Sequence, residues 1–140
     1  MKRIKIWYPT VFTPEEDGSA YTVVVPDMEQ INCACITCGD TMEEACQMAL
    51  EAIGLSLEET PEDKLPTPSR PETLHLEQGE FIVPVLYDSL KYKKAVSNKS
   101  VKRTVSLPEW MDDLAKEERI SFSKALQRGL KMELGLEEGV

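Results

Sequence analysis

The side chains capable of chemistry fall into three groups. Cys33, Cys35, Cys38 and Cys46 run as C-x-C-x-x-C, followed by a seven-residue gap. Zinc sites usually show paired C-x2–4-C knuckles, and iron–sulfur runs have spacings of their own. Cys33 and Cys35 would share one strand face, and Cys46 falls on the apolar stripe of a helix. Buried free Cys behaves as a small hydrophobe, and cytosolic chains rarely use disulfides. Packing is the expected role, with no metal and no other cofactor. The second group is carboxylates: Asp27, Asp40, Glu43 and Glu44. Such clusters can hold paired metal ions for hydrolysis. Here Glu43 and Glu44 are accounted for by a helix start and Asp27 by a turn. The single His75 has no partners that would make it a base, so no enzyme activity is expected. The third group is polar and alternating: Lys102, Thr104 and Ser106, with Ser121 and Ser123 further on.

The last group lies on three elements, Val101 to Leu134. Successive strand residues face opposite ways, so Val105 and Leu107 can face a core while Lys102, Thr104 and Ser106 line a polar face. Pro108 ends the strand and suits the first turn of a helix, where its missing N–H costs nothing. Trp110, Met111, Leu114 and Ala115 then give one apolar stripe at helical spacing. Ser121 is a good N-cap for a second helix, whose stripe is Phe122, Ala125, Leu126, Leu130 and Leu134. A unit of about thirty-four residues cannot bury enough apolar surface to stand alone, and its natural partner is a second copy of itself.

A strand, a Pro-started helix and a Ser-capped helix in this order resemble a ribbon-helix-helix unit. In that family the strands of two chains pair antiparallel, and the two-stranded ribbon enters the DNA major groove. The resemblance places Lys102, Thr104 and Ser106 outward, toward the bases. Lys can donate to guanine acceptors, and Thr and Ser can bond either kind of edge or a phosphate. It also places a phosphate at the start of the second helix, around Ser121 to Ser123, where free N–H groups and the positive dipole end attract an anion. The plainer alternative is an oligomerisation tail with a solvated strand; the order of the elements favours DNA binding.

Charge is divided along the chain. The net is −9. Residues 1–90 hold 5 Lys and Arg against 17 Asp and Glu, a net of −12; residues 91–140 hold 11 against 8, a net of +3. The rear could approach phosphate, whereas the front would be repelled by it and would suit a basic protein. No apolar run approaches the roughly 18 residues of a membrane span. Met1-Lys2-Arg3-Ile4-Lys5 is followed by no apolar region and no cleavage site. A soluble cytoplasmic protein is expected.

The front reads as three strands, a helix, a loop and a strand. Ile4, Ile6, Tyr8, Val11 and Phe12 make the first strand, with Asp17-Gly18 as a hairpin signal. Tyr21 to Val25 is the second, stopped by Pro26-Asp27, and Cys33 to Cys38 the third. Thr41 to Glu44 offers a capping box. Met42, Ala45, Cys46, Ala49, Leu50, Ile53 and Leu57 then predict an amphipathic helix of about four turns. Glu58 to Gly79 holds four of the nine prolines and reads as a long loop with Leu74 and Leu76 as possible anchors. Phe81 to Tyr87 is a fourth strand, which Pro84 restricts to an edge or a bulge. Lys91 to Ser100 reads as a basic linker. The result is an α+β fold, with residues 1–90 as a front domain, 91–100 as the linker and 101–140 as the rear domain.

Nearly the whole chain resembles the HicB antitoxin family. Tyr8-Pro9-Thr10-Val11-Phe12 resembles its opening strand, and Tyr21 to Asp27 its second strand and Pro-Asp stop. Cys35 to Ala45 resembles its C-x-x-x-G-D-T-x-E-E-A signature, and Leu65 to Ser69 its proline loop. The resemblance implies a partial RNase H-like front domain that binds and masks a HicA toxin, a small basic ribonuclease that cleaves mRNA. It implies a rear domain that forms a homodimer or higher oligomer and binds its own operator DNA, as an autorepressor. For the toxin contact the candidates are the acidic hairpin, Glu15, Glu16 and Asp17, and the following turn, Asp27 and Glu29. The alternative is a stand-alone ribbon-helix-helix regulator whose front senses a ligand or oligomerises.

Overall fold

A computed structural model describes residues 2–136. They divide into a front unit, Lys2–Lys99, and a tail that begins at Ser100.

The front unit contains strands β1 (Lys5–Pro14), β2 (Tyr21–Val24), β3 (Ile36–Gly39) and β4 (Phe81–Asp88), with helices α1 (Met42–Leu57) and α2 (Ser89–Val96). The strands form one sheet in the order β3-β2-β1-β4, and every pairing is antiparallel. Tyr8 and Phe12 of β1, Val23 of β2, and Val85 and Tyr87 of β4 pack with Ala45, Ala49, Leu50, Ile53 and Leu57 of α1. The rings of Phe12, Tyr21 and Phe81 lie 5.6 to 6.1 Å apart by centroid, tilted or edge-on as ring quadrupoles prefer.

Each junction has a local cause. At the end of β3, Gly39 lies directly against the first turn of α1: a Cβ there would fall 2.4 Å from the Ala45 backbone nitrogen. Two residues on, the Thr41 hydroxyl accepts the Glu44 N–H at 3.1 Å. Glu43 and Glu44 place negative charge in the same turn, where the helix dipole favours it. Pro84 fits because β4 is an edge strand. The register runs unbroken from Lys5↔Asp88 to Phe12↔Phe81, with no bulge, and sets Pro9 opposite Pro84. A pair lacking both N–H groups can occupy only a non-hydrogen-bonded site of the ladder.

Several expected boundaries move. The third strand starts at Ile36, so Cys33 and Cys35 precede it. Pro26–Ile31, expected as a plain turn, is a 3-10 turn closed by Asn32 in the left-handed region, φ 57°. The loop after α1 is anchored at its middle, and the expected anchors Leu74 and Leu76 are half-buried outside the core cluster. Leu65 packs on the core, and the buried Tyr8 hydroxyl donates to the Pro66 carbonyl at 2.8 Å. Burial, with Asp27 nearby, pushes that phenol up to about 12.

The largest change is at the linker. Ser89–Val96 is helical, although a basic linker is predicted from Lys91. Asp88 makes this helix: its carboxylate accepts the Leu90 and Lys91 N–H groups at 3.1 and 3.4 Å. Leu90 is buried, and the Tyr92 ring lies over Gly54, where a Cβ would come within 2.1 Å of it. The same carboxylate receives Arg3 through Nε at 3.0 Å and through a terminal nitrogen at 2.6 Å.

The tail contains α3 (Glu109–Glu117) and α4 (Phe122–Glu133). Ser121 caps α4, its hydroxyl accepting the Lys124 N–H at 3.3 Å. Both helices close with the paired Schellman bonds, Ile120 N–H to the Ala115 carbonyl and Leu136 N–H to that of Lys131. The left-handed closing residue is Gly135 after α4 but Arg119, φ 57°, after α3, where a side chain costs roughly 1–2 kcal/mol. The predicted strand Val101–Leu107 takes no regular secondary structure and is exposed throughout. Neither helix contains a buried residue.

Arg3 above all holds the Asp88 carboxyl down at about 2; burial opposes it and the two N–H groups assist it. A depressed carboxyl stabilises the fold above its unfolded value, and that stability is lost as pH falls through the folded value. Asp88→Asn should therefore cost about 2 kcal/mol near neutral pH. It should also flatten the loss of stability between about pH 4 and pH 2, as read by denaturant unfolding across that range.

Candidate functional site

Two surfaces stand out. The first is the sheet face turned away from α1. Side chains directly opposite on paired strands share a face. The register therefore groups Trp7 with Leu86, Pro9 with Pro84, Val11 with Ile82 and Val24, and Val24 with Ile36. None of these belongs to the core cluster on the other face. Pro9 and Val11 are buried at the centre, while Trp7 is 58% and Ile36 62% exposed. At the β4 edge, Trp7, Pro84 and Leu86 join Glu43, Gln47 and Lys91 around a cleft of about 390 Å3. Sequence reasoning missed this face. Its signal is that β1 and β4 are apolar at nearly every position, whereas a half-solvated strand alternates with polar residues.

The acidic candidates are distributed unevenly about it. Glu15, Glu16 and Asp17 are exposed in the β1–β2 turn. The Glu15 carboxylate accepts the Thr22 hydroxyl at 3.0 Å, and that of Asp17 accepts the Ser19 N–H at 2.9 Å. Hydrogen bonds from Ser19 lower the Asp17 carboxyl below its ordinary value. Glu29 is exposed. Asp27 differs from the expectation of a surface contact. It is buried, and its carboxylate accepts the Ser69 N–H at 2.9 Å, the Ser69 hydroxyl, and the Gln30 amide at 3.3 Å. Gln30 in turn pairs with the Thr67 backbone, donating at 2.9 Å and accepting at 3.0 Å. Asp27 fastens the proline loop to the 3-10 turn.

Three of the four cysteines join the core. Cys35 is buried within it, and Cys33 and Cys46 pack against it. Burial raises the Cys35 and Cys46 thiols above their ordinary value. Cys33 donates to the Ser56 hydroxyl at 3.2 Å, and Cys38 is exposed.

The second surface is in the tail. Val101, Arg103, Val105 and Leu107 line a groove of about 550 Å3 together with Met111, Ile120, Phe122 and Leu126. The segment has no ladder, yet its side chains already alternate. The odd-numbered residues face the groove, and Lys102, Thr104 and Ser106 do not line it. Arg103 lies on the groove side, which the residue pattern did not single out. Ser121 serves as the cap and Ser123 lies in the first turn of α4, with its hydroxyl near Gln127, 3.3 Å away.

These features define a class, a small two-unit α+β protein whose exposed specialities are apolar interfaces. The model of the HicB-like antitoxins of bacterial toxin–antitoxin systems matches residues 8–129. The chain belongs to that family. A chain of a solved toxin–antitoxin complex from Streptococcus pneumoniae is similar at 28% identity, with a TM-score of 0.52, over 93% of this chain and 99% of that one. No curated protein matches. Among the described residues, no helix is long and apolar enough to cross a membrane.

If Asp27 fastens the loop, Asp27→Ala should leave α1 helical and loosen residues 58–80. The expected readout is faster tryptic cleavage after the exposed Lys64 with unchanged far-ultraviolet circular dichroism. An unaltered cleavage rate would show that Leu65 and Pro66 alone hold the loop.

Proposed function

We propose that this antitoxin-family protein neutralises a HicA-type, mRNA-cleaving toxin by binding and masking it through the front unit, and represses its own operon through the tail. On this reading the front is a partial RNase H-like domain used for binding, not for catalysis. The tail is a ribbon-helix-helix domain that pairs as a homodimer or higher oligomer, and the protein acts in the cytoplasm.

The observation that carries the reading is the alternation along Val101–Leu107 beside two helices with exposed apolar faces. A lone strand lacks ladder partners, and backbone N–H and C=O groups seek them. An antiparallel copy would supply those bonds and cover Val105 and Leu107. Lys102, Thr104 and Ser106 would then point outward in duplicate, as a ribbon sized for the major groove. The α4 N-terminus, with Ser121 and Ser123, would sit where its free N–H groups can hold a backbone phosphate. From Ser100 on the sequence holds 7 Lys and Arg against 8 Asp and Glu, close to neutral, whereas Lys2–Lys99 holds 9 against 17; the acidic front would be repelled by DNA and suits a basic toxin.

The experiment is co-expression with a small basic neighbouring reading frame, scored by co-purification and by rescue of growth, followed by binding to the operon's own promoter. Thr104→Ala with Ser106→Ala should lower specific promoter affinity by about 1–3 kcal/mol per lost base contact while the sedimentation mass stays that of wild type. Lys102→Ala should weaken binding and reduce its salt dependence. Unchanged promoter affinity in both would reject the ribbon; no complex and no rescue would reject the antitoxin role.

A further inference from the structure

We infer that the toxin docks on the face of the front sheet turned away from α1, with the exposed side chains of Trp7 and Ile36 as its apolar anchors and two fixed carboxylates, Glu15 and Glu80, as its acidic end. This rests on the antitoxin reading above and names the surface that reading leaves open.

The face offers what a protein interface needs at its core. Exposed apolar side chains gathered on one face mark interaction sites, and Trp is enriched among binding hot spots. Trp7 and Ile36 are more than half exposed, although both lie on strands of the main sheet. The acidic end belongs to the same face. Thr13 and Thr22 are opposite one another at the hairpin end of β1 and β2, on the side of Val11 and Val24. The Thr13 hydroxyl donates to Glu80 at 2.7 Å, and the Thr22 hydroxyl to Glu15 at 3.0 Å. The other Glu80 oxygen accepts the Glu77 N–H at 2.8 Å. Two carboxylates are thus held in place at one end, roughly 20 Å along β1 from Trp7.

Charge chooses the occupant. Lys2–Lys99 holds 9 Lys and Arg against 17 Asp and Glu, so a second front unit would meet this face with like charge, while a basic protein would be steered to it. Strand addition at the adjacent edge is also discouraged. Pro84 stands in a non-hydrogen-bonded pair with Pro9, so the donor it lacks is the one that would point out of the sheet. The partner therefore packs on side chains, through an apolar patch bordered by Lys or Arg.

The test uses the full chain and the toxin made catalytically inactive. Trp7→Ser with Ile36→Lys should weaken toxin binding by about 30-fold or more, with the melting temperature and the sedimentation mass of the free protein unchanged. Glu15→Gln with Glu80→Gln removes two charges without touching the apolar patch. It should slow association about three- to tenfold, and the difference should vanish at high salt. If the wild type binds and both variants bind as well, the docking face is wrong and the antitoxin reading stands. If the first variant instead lowers the oligomeric state of the free protein, the occupant is a second copy and the inference fails. If the wild type itself does not bind, the antitoxin reading has failed first.

Discussion

Asp88 is the residue on which the front unit closes. It ends the last strand, caps the helix that follows, and grips Arg3 just before the first strand begins. The two ends of the unit are therefore joined by one buried carboxylate. Burying a charge is costly unless it is paired and hydrogen-bonded, and here two bonds come from the helix Asp88 caps and the charge pair from Arg3, which the fold brings from the other end. Among the described residues no buried side-chain nitrogen or oxygen is left without a partner. Asp27 follows the same logic at the opposite side of the chain order, holding the proline loop to the turn after β2. Two buried aspartates thus fix the two segments that regular secondary structure does not.

With those segments fixed, the sheet has one covered face and one open face, and α1 is the reason. The helix begins where Gly39 lets the strand end touch it and runs across the even-numbered side chains of β1. The odd-numbered side chains belong to the other face, where Pro9 and Val11 are buried and Trp7 is exposed. An apolar open face is a liability for a protein that stays alone. Under the inferred docking it would receive the toxin, and its acidic end is held by the hydroxyls of Thr13 and Thr22.

Much of this was legible in the residues, for stated reasons. α1 was readable because its apolar period, Thr41 cap and first-turn acids all agree, and α3 and α4 because Pro108 and Ser121 punctuate two clean stripes. The helix α2 was not. Its sequence is lysine-rich, only Leu90 and Tyr92 turn inward, and its cap, Asp88, is the last residue of β4. The open face escaped because its signal is a missing alternation, not a motif. Asp27 read as a turn acid because its partner, Ser69, is distant in sequence. Val101–Leu107 was legible as an alternation, which the structure keeps along the groove without a ladder.

Under the proposed role the protein's own abundance becomes a variable of its behaviour. Tail helices without a buried residue would draw stability from the proposed pairing, and the paired form would grow with the square of the free chain's concentration until it dominates. A dilute chain would hold a folded front beside a tail short of its ordered state. A concentrated one would hold both. Under the proposed role, toxin capture would persist at copy numbers where promoter occupancy has already fallen away, so dosage alone would separate the two activities.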